Sequence, residues 1–237
     1  MSNGSIAQAI KLVNSAATTD STFTYYFAAS LPQYVGSNVG TGLFEGSTDD
    51  SGFHIGNSEY LISSSDFTNI TSIAEQPTAY ALSYFNNVSN VSFTYSNSES
   101  ADIVISGLSV NLYGYNSNNE IRQPTGFTFD SIGSNPLRSD VYILQSGMNA
   151  EEIQKTIPHE LLHSLGLLDV EQSNGTIYSG EENTNKYTIM SYNQNTGTGQ
   201  RTHELQIYDI AAIQSIYGRN DDYNQYDTII NSFIESL

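Results

Sequence analysis

Two histidines and a glutamate stand close together in the segment His159-Glu160-Leu161-Leu162-His163. If this segment is helical, residues four apart lie on one face, and His159 and His163 can present two imidazoles to one metal ion. Glu160 can then reach a water at that ion and act as a general base. The spacing predicts a catalytic zinc site, which needs two nitrogens, a third ligand and a fourth position open to water.

The residues around this motif indicate that its helix is buried. They make the helix apolar almost all round: Leu161, Leu162, Leu165, Leu167 and Leu168. Two histidines and a glutamate on a buried helix need partners, because unpaired polar groups cost free energy there. A metal ion is the simplest partner, whereas two surface histidines would not need this apolar setting.

The motif continues to a third candidate ligand. Gly166 and Asp169 follow at intervals of three residues, giving H-E-x-x-H-x-x-G-x-x-D. Glycine can adopt the left-handed conformation that ends a helix, and the returning chain can bring the Asp169 carboxylate to the metal. Two alternatives stay open: a thermolysin-like third ligand from Glu181 or Glu182, and His203 in place of Asp169. The remaining histidine, His54, lies in a glycine-rich segment and is predicted at the surface.

A methionine followed two residues later by a tyrosine, Met190 and Tyr192, lies downstream in Ile189-Met190-Ser191-Tyr192. The elongated zinc motif with this later methionine resembles the metzincin metallopeptidases. The segment from Asp209 to Gly218 (DIAAIQSIYG) makes the chain similar to the serralysin family in particular. The close match covers residues 157 to 218.

The resemblance implies roles for further residues. Met190 would form an apolar floor beneath the zinc, and Tyr192 would be a weak fifth ligand that turns to the oxyanion of the tetrahedral intermediate. The strand containing Val141, Tyr142 and Ile143 would be the antiparallel edge strand along which substrate binds. It also implies a zincin fold with a backing helix, an active-site helix and a smaller C-terminal subdomain.

The chain departs from the serralysin pattern in two ways. Serralysins have histidine where this chain has Asp169, and an aspartate there resembles the snapalysin-type metzincins. Serralysins also continue into glycine-rich calcium-binding repeats, whereas the sequence has no G-G-x-G-x-D after Gly218. Calcium binding by some of the carboxylates therefore has no motif to support it.

The pattern along the chain predicts an α+β fold with a twisted mixed sheet. The predicted helices are one near Ile6 to Val13, one from Ser65 or Asp66 to Asn86, one after Asn149 reaching Leu168 at most, and one from Leu205 to Tyr217. Pro77 and Pro158 each predict a kink or a later helix start. The predicted strands are Thr22 to Ala28, Val91 to Tyr95, Asp102 to Ile105, Gly126 to Phe129 and Asp140 to Leu144. The segments 30–58 and 171–186 are predicted as loops.

The length of 237 residues suits one catalytic domain, with residues 1–166 and 167–237 as its two parts. Residues 1–20 could form a leader or propeptide. With 25 acidic residues, 7 lysines and arginines and a net charge of −18, the surface repels nucleic acids and anionic membranes. There are no cysteines.

Together these features predict a secreted zinc endopeptidase that hydrolyses peptide bonds of proteins through a zinc-activated water, with Glu160 as general base. We expect a monomer in the extracellular space, without a recognisable N-terminal signal peptide. Its partners would be protein or peptide substrates, and a protein inhibitor could be another. The alternative is a non-catalytic zinc-binding or surface-binding module descended from a peptidase.

Overall fold

The fold is seen in a computed structural model. It describes residues 10–13, 20–32, 54–55, 64–109, 114–115, 121–122, 125–130, 138–145, 148–172, 175–193 and 204–221. The predicted α+β class is confirmed, because helices pack on a mixed sheet.

The main sheet contains six strands. They are β1 (Thr22–Phe27), β3 (Phe67–Thr68), β4 (Ser92–Tyr95), β5 (Ile103–Leu108), β8 (Gly126–Asp130) and β9 (Ser139–Leu144). The order β4-β1-β5-β9-β8 is parallel except for β8, which is antiparallel to β9, and β3 pairs antiparallel with the end of β5. The one antiparallel strand on this path therefore lies at its edge, beside β9.

The prediction that Asp140 to Leu144 forms the edge strand is wrong. This segment, β9, lies between β5 and β8 and is hydrogen-bonded on both sides. Val141, Tyr142 and Ile143 are accordingly almost completely buried. A strand covered on both faces and both edges has no free backbone for a substrate, and the edge position belongs to β8.

Two long helices pack on the sheet. The first, α1 (Thr71–Val88), begins after the predicted cap because Phe67–Thr68 forms strand β3 instead. The second, α2 (Ala150–Ser164), runs through Pro158 without the predicted fresh start. α1 contacts α2, and α2 lies against β8 and β9. The apolar faces of α1 and α2 belong to one continuous hydrophobic core with residues of the sheet, namely Phe23, Phe27, Ile103, Ile105, Val141 and Ile143.

The C-terminal elements are mostly short. A hairpin of β10 (Glu171–Gln172) and β11 (Gly175–Thr176) and a single 3-10 turn at Gly180–Glu182 occupy the segment predicted as loop. The helix α3 (Ile207–Tyr217) follows the prediction closely and ends at Gly218, whose φ of 79° is in the left-handed region. In the predicted division of the chain, these elements belong to the second part, residues 167–237.

Further short elements lie outside the predicted ones. Strands β2 (His54–Ile55), β6 (Gly114–Tyr115) and β7 (Ile121–Arg122) form a separate antiparallel sheet. Near the N-terminus, Ile10–Leu12 form one 3-10 turn, where the sequence predicts a longer helix. Within the described residues, no helix combines the length and the apolar character that crossing a bilayer requires.

Candidate metal centre

The helix α2 is fixed at its N-terminus by a capping box. The Asn149 side chain accepts a hydrogen bond from the Glu152 amide, and the Glu152 carboxylate accepts one from the Asn149 amide. The first turn carries Glu151 and Glu152, where the helix dipole favours anions. The N-cap predicted at Asn149 is confirmed. It fixes where the helix begins, and His159 and His163, four residues apart, lie on one face of this helix.

A Schellman turn ends the same helix. Gly166 has a φ of 87°, the Gly166 amide donates to His163 O, and the Leu167 amide donates to Leu162 O. The predicted left-handed glycine is thus confirmed. The turn reverses the chain within three residues and brings Asp169 back to the helix face that carries the histidines.

Three side chains converge after this turn. His159 Nε2 lies 3.2 Å from Asp169 Oδ1, and His163 Nε2 lies 3.5 Å from Asp169 Oδ2. One potential ligand atom from each of the three residues lies within 4.8 Å of the other two. The side chains are largely buried, with exposed fractions of 11%, 13% and 3%. The three residues predicted as metal ligands are therefore brought together.

The outer nitrogens of both imidazoles face backbone carbonyls. His159 Nδ1 lies 2.9 Å from Ile189 O, and His163 Nδ1 lies 2.8 Å from Leu167 O. Carbonyl oxygens only accept, so each Nδ1 carries a hydrogen, and Nε2 on the other side of each ring faces Asp169, where it holds a proton when the ring is charged or offers its lone pair to a cation when the ring is neutral. Such backbone partners are the usual means of orienting a metal-ligating histidine.

The charges of the cluster are strongly coupled. Burial alone would lower the pKa of both histidines, but the Asp169 carboxylate outweighs it: the pKa of His159 is raised and that of His163 is raised to about 10. Burial likewise opposes ionisation of Asp169, yet the two imidazoles hold the pKa of this carboxyl well below its usual range. The carboxylate thus requires positive charge on the Nε2 side, either as protons or as a cation.

The donor set fits zinc. Two imidazole nitrogens and one carboxylate oxygen form a usual set for a catalytic zinc site, which leaves one position to a further ligand. Asp169 Oδ1 is buried and, apart from the 3.2 Å contact with His159 Nε2, has no polar partner among the described residues, so it faces the centre of the cluster as a carboxylate ligand would. His159, His163 and Asp169 could therefore hold the ion.

Glu160 lies beside this cluster on the same helix and is 4% exposed. Burial raises the pKa of its carboxyl, and the charges of His159 and His163 only partly offset that effect. Thr128 on β8 donates a hydrogen bond of 2.9 Å to Glu160 Oε2. The sequence does not predict Thr128, since nothing in its local pattern marks a strand threonine as a partner of a glutamate 32 residues later.

Tyr192 contacts two members of the cluster. Its hydroxyl donates to Asp169 Oδ2 over 3.1 Å, and its ring centroid lies 5.6 Å from that of His159. Tyr192 therefore meets the predicted site through the third candidate ligand. This contact was not anticipated.

Met190 is completely buried in the main core, as an apolar floor requires. The turn containing it is held by Asp209 on α3, whose carboxylate accepts hydrogen bonds from the Thr188 hydroxyl and the Ile189 amide. Burial raises the pKa of Asp209 to about 6 despite these bonds. Ile189 donates its amide to Asp209, and its carbonyl is the partner of His159 Nδ1, so Asp209 supports the first histidine through Ile189. Asp209 is the first residue of the DIAAIQ segment, but the sequence alone does not predict a role for it.

The first described residues of the chain hold the turn between the second and third candidate ligands. The Leu168 amide donates to Leu12 O over 2.7 Å, and Val13 forms an antiparallel bridge with Leu167. The Leu12 side chain is completely buried in the core. The sequence predicts this segment only as a short helix or a leader, so its contact with the turn between the candidate ligands is a finding of the structure.

The other candidates lie elsewhere. Glu181 is an exposed partner of Lys186, and Glu182 accepts a hydrogen bond from the Tyr208 hydroxyl, so neither joins the cluster. Val141, Tyr142 and Ile143 are in the inner strand β9. His203 lies outside the described residues, and for His54 only the backbone, in β2, is described.

Comparison with known proteins gives no assignment. None of the protein-family models matches the chain, and no curated protein sequence is significantly similar to it.

Proposed function

We propose that this protein is a zinc-dependent endopeptidase. The observation that carries the proposal is the convergence of His159 Nε2, His163 Nε2 and the Asp169 carboxylate in a buried cluster, with the buried carboxylate of Glu160 next to it. A site that only stored a metal would not need Glu160, because burying a fourth ionisable group costs free energy.

The chemistry divides between the ion and the chain. When bound, zinc supplies Lewis-acid chemistry, polarising a carbonyl and making water acidic. Glu160 takes a proton from the attacking water and delivers it to the leaving amine as the peptide bond breaks. The raised pKa of Glu160 suits this exchange, since a base works best with a pKa close to the working pH. The Tyr192 hydroxyl, which bonds to Asp169, would turn from this carboxylate to donate to the reacting oxygen.

Strand β8 is the proposed site of the substrate backbone. Among the described residues it pairs only with β9, so its other edge can accept an extended peptide as an added strand. β8 also lies against α2, the helix that carries the histidines. A peptide along this edge would pass the cluster, which favours cleavage within a chain over removal of terminal residues.

The same features support the metzincin relationship as part of the proposal. An antiparallel strand at the end of the described strand path, the histidine helix ended by Gly166, and the complete burial of Met190 agree with what the resemblance implies. The extracellular location and a protein inhibitor stay predictions from the sequence.

The decisive experiment compares wild type with Glu160→Ala. We expect the same zinc content in both and a loss of caseinolytic activity of at least about a hundred-fold in the variant. Glu75→Ala, which removes an exposed carboxylate from α1, is the matched control and should behave as wild type. Wild-type activity should also be abolished by 1,10-phenanthroline and restored by zinc.

Two results would contradict the proposal. A Glu160→Ala protein that still cleaved casein at the wild-type rate would remove the assigned base. Pure zinc-loaded wild type that cleaves no peptide in a broad mixture would favour the alternative, a non-catalytic zinc-binding or surface-binding module.

A further inference from the structure

The carboxylate of Glu160 is held by a strand as well as by its own helix. The Thr128 hydroxyl lies 2.9 Å from Glu160 Oε2 and 2.9 Å from Glu160 O, and its single hydrogen is shared between these two acceptors. This contact joins the sheet edge to α2 at the residue after the first histidine. It also restricts the last torsion of the glutamate side chain, which is otherwise broad.

A second residue of the same strand makes room for that carboxylate. A Cβ atom on Gly126 would lie 2.9 Å from both Cγ and Oε1 of Glu160, and 2.8 Å from Thr156 Cγ2. Gly126 and Thr128 are two residues apart and so share one face of β8. On this face, the absence of a side chain at Gly126 leaves room for Glu160, and the Thr128 hydroxyl bonds to it.

We propose that Thr128 is a positioning residue for Glu160 and that Gly126 provides the space its carboxylate occupies. The catalytic part of this inference rests on the proposed function. If substrate pairs with β8 on the side away from β9, one strand then fixes both the peptide and the base that serves it. Holding reacting groups in a defined relative position is a large source of rate enhancement.

The first test uses three threonine variants. Thr128→Val keeps the shape but removes the hydroxyl, Thr128→Ser keeps the hydroxyl, and Thr78→Val is the control, since Thr78 is buried on α1 and its hydroxyl bonds to no described residue. Loss of a hydrogen bond to a charged group predicts a fall in kcat of about ten- to hundred-fold for Thr128→Val. KM should change by less than about two-fold, and zinc content should be unchanged. Thr128→Ser and Thr78→Val should stay within about three-fold of wild-type kcat.

The second test does not use activity. Thr128→Val, Glu160→Ala and the double variant are unfolded with urea in the metal-free state, which gives a double-mutant cycle for this contact. We expect a coupling equivalent to about ten-fold in the unfolding equilibrium constant, in the direction that the two groups stabilise each other. Thr78→Val combined with Glu160→Ala should show no coupling.

The outcomes separate this inference from the proposed function. An active enzyme that loses kcat with Glu160→Ala but keeps it with Thr128→Val overturns the positioning role and leaves the function intact. A Thr128→Ser variant as impaired as Thr128→Val overturns it too, because the hydroxyl would then not be the cause. If wild type has no peptidase activity, the double-mutant cycle decides. Additive effects of Thr128→Val and Glu160→Ala on stability would overturn the contact between the two side chains, whereas the expected coupling would support it.

Discussion

The Tyr192 hydroxyl donates a hydrogen bond to Asp169 Oδ2 over 3.1 Å, while Asp169 Oδ1 faces His159. The two oxygens of one carboxylate thus have different partners. Tyr192 accordingly orients the third candidate ligand, in addition to the oxyanion role that the resemblance implies.

Replacing Tyr192 with phenylalanine should therefore affect metal binding and not only turnover. We expect Tyr192→Phe to weaken zinc binding by about ten-fold, because partners of ligating carboxylates are typically worth 10- to 100-fold in metal affinity or activity. Competition with a chelator measures this affinity. Tyr208→Phe is the matched control, since the Tyr208 hydroxyl donates to a carboxylate, Glu182, outside the cluster. Equal zinc affinity in wild type and Tyr192→Phe would restrict Tyr192 to the reaction step.

The metal-free protein should lose stability at both ends of the pH scale. The folded pKa of His163 is raised to about 10, so its contribution is complete below the unfolded value of about 6.5 and is lost as pH rises from there to about 10. The folded pKa of Asp169 is lowered, so its contribution is present above about 4 and is lost on further acidification.

Urea unfolding in the presence of EDTA checks both losses between about pH 2 and about pH 10. On the alkaline side one lost proton changes the free energy of unfolding by at most about 1.4 kcal/mol per pH unit. Asp169→Asn should flatten the profile, because both imidazoles then lose the stronger of their anionic partners and keep only the weaker influence of Glu160. A wild-type profile that is already flat between pH 6.5 and pH 10 would contradict the charge coupling.

Zinc affinity should increase with pH over the same alkaline range. The metal takes the place of protons that Asp169 holds on the histidines, so binding at pH 7 releases protons. Calorimetric titration in buffers of different ionisation enthalpy counts the protons released. The absence of proton release at pH 7 would mean that both imidazoles are already neutral there.

Much of the site could be predicted from the sequence because its signals are local. His159, Glu160 and His163 follow the helical repeat, and Gly166 marks a turn that needs a positive φ. The strand contacts could not be predicted in that way, since which strand lies at an edge is decided by pairing between distant segments. A signal for β9 was nevertheless present: Val141, Tyr142, Ile143 and Leu144 form an uninterrupted apolar run, which is typical of an inner strand.

Gly126→Ala should act on the enzyme through Glu160. The added methyl group would overlap Glu160 Cγ and Oε1, and Thr156 Cγ2, so the glutamate must move from its position against Thr128. We expect a loss of kcat of about ten-fold or more together with a stability loss of about 1–3 kcal/mol. In a Glu160→Ala background the stability cost should be smaller, and urea unfolding of the single and double variants measures the difference. Equal costs in both backgrounds would assign the clash to Thr156 alone.

Leu12→Ala should weaken zinc binding as well as the fold. Truncating a fully buried leucine costs about 2–5 kcal/mol, and here it also loosens the pairing of residues 12–13 with residues 167–168. Leu108→Ala is the control, because Leu108 is equally buried but lies in the central strand β5, outside the pairing of residues 12–13 with residues 167–168. At a temperature where both variants are folded, chelator competition should show reduced affinity for Leu12→Ala alone. Equal affinities would show that the turn keeps its shape without the N-terminal segment.

The pairing of Leu12 with Leu168 also bears on the order in which the protein folds. The histidine helix and its turn are local in sequence and can form early, but the backbone that secures the turn comes from the opposite part of the chain. Closing so long a loop is slow compared with forming a helix. Full-affinity zinc binding should therefore appear late in refolding, after the helices have formed. A zinc-sensitive probe added during refolding would then report completion of the tertiary structure, not formation of the motif.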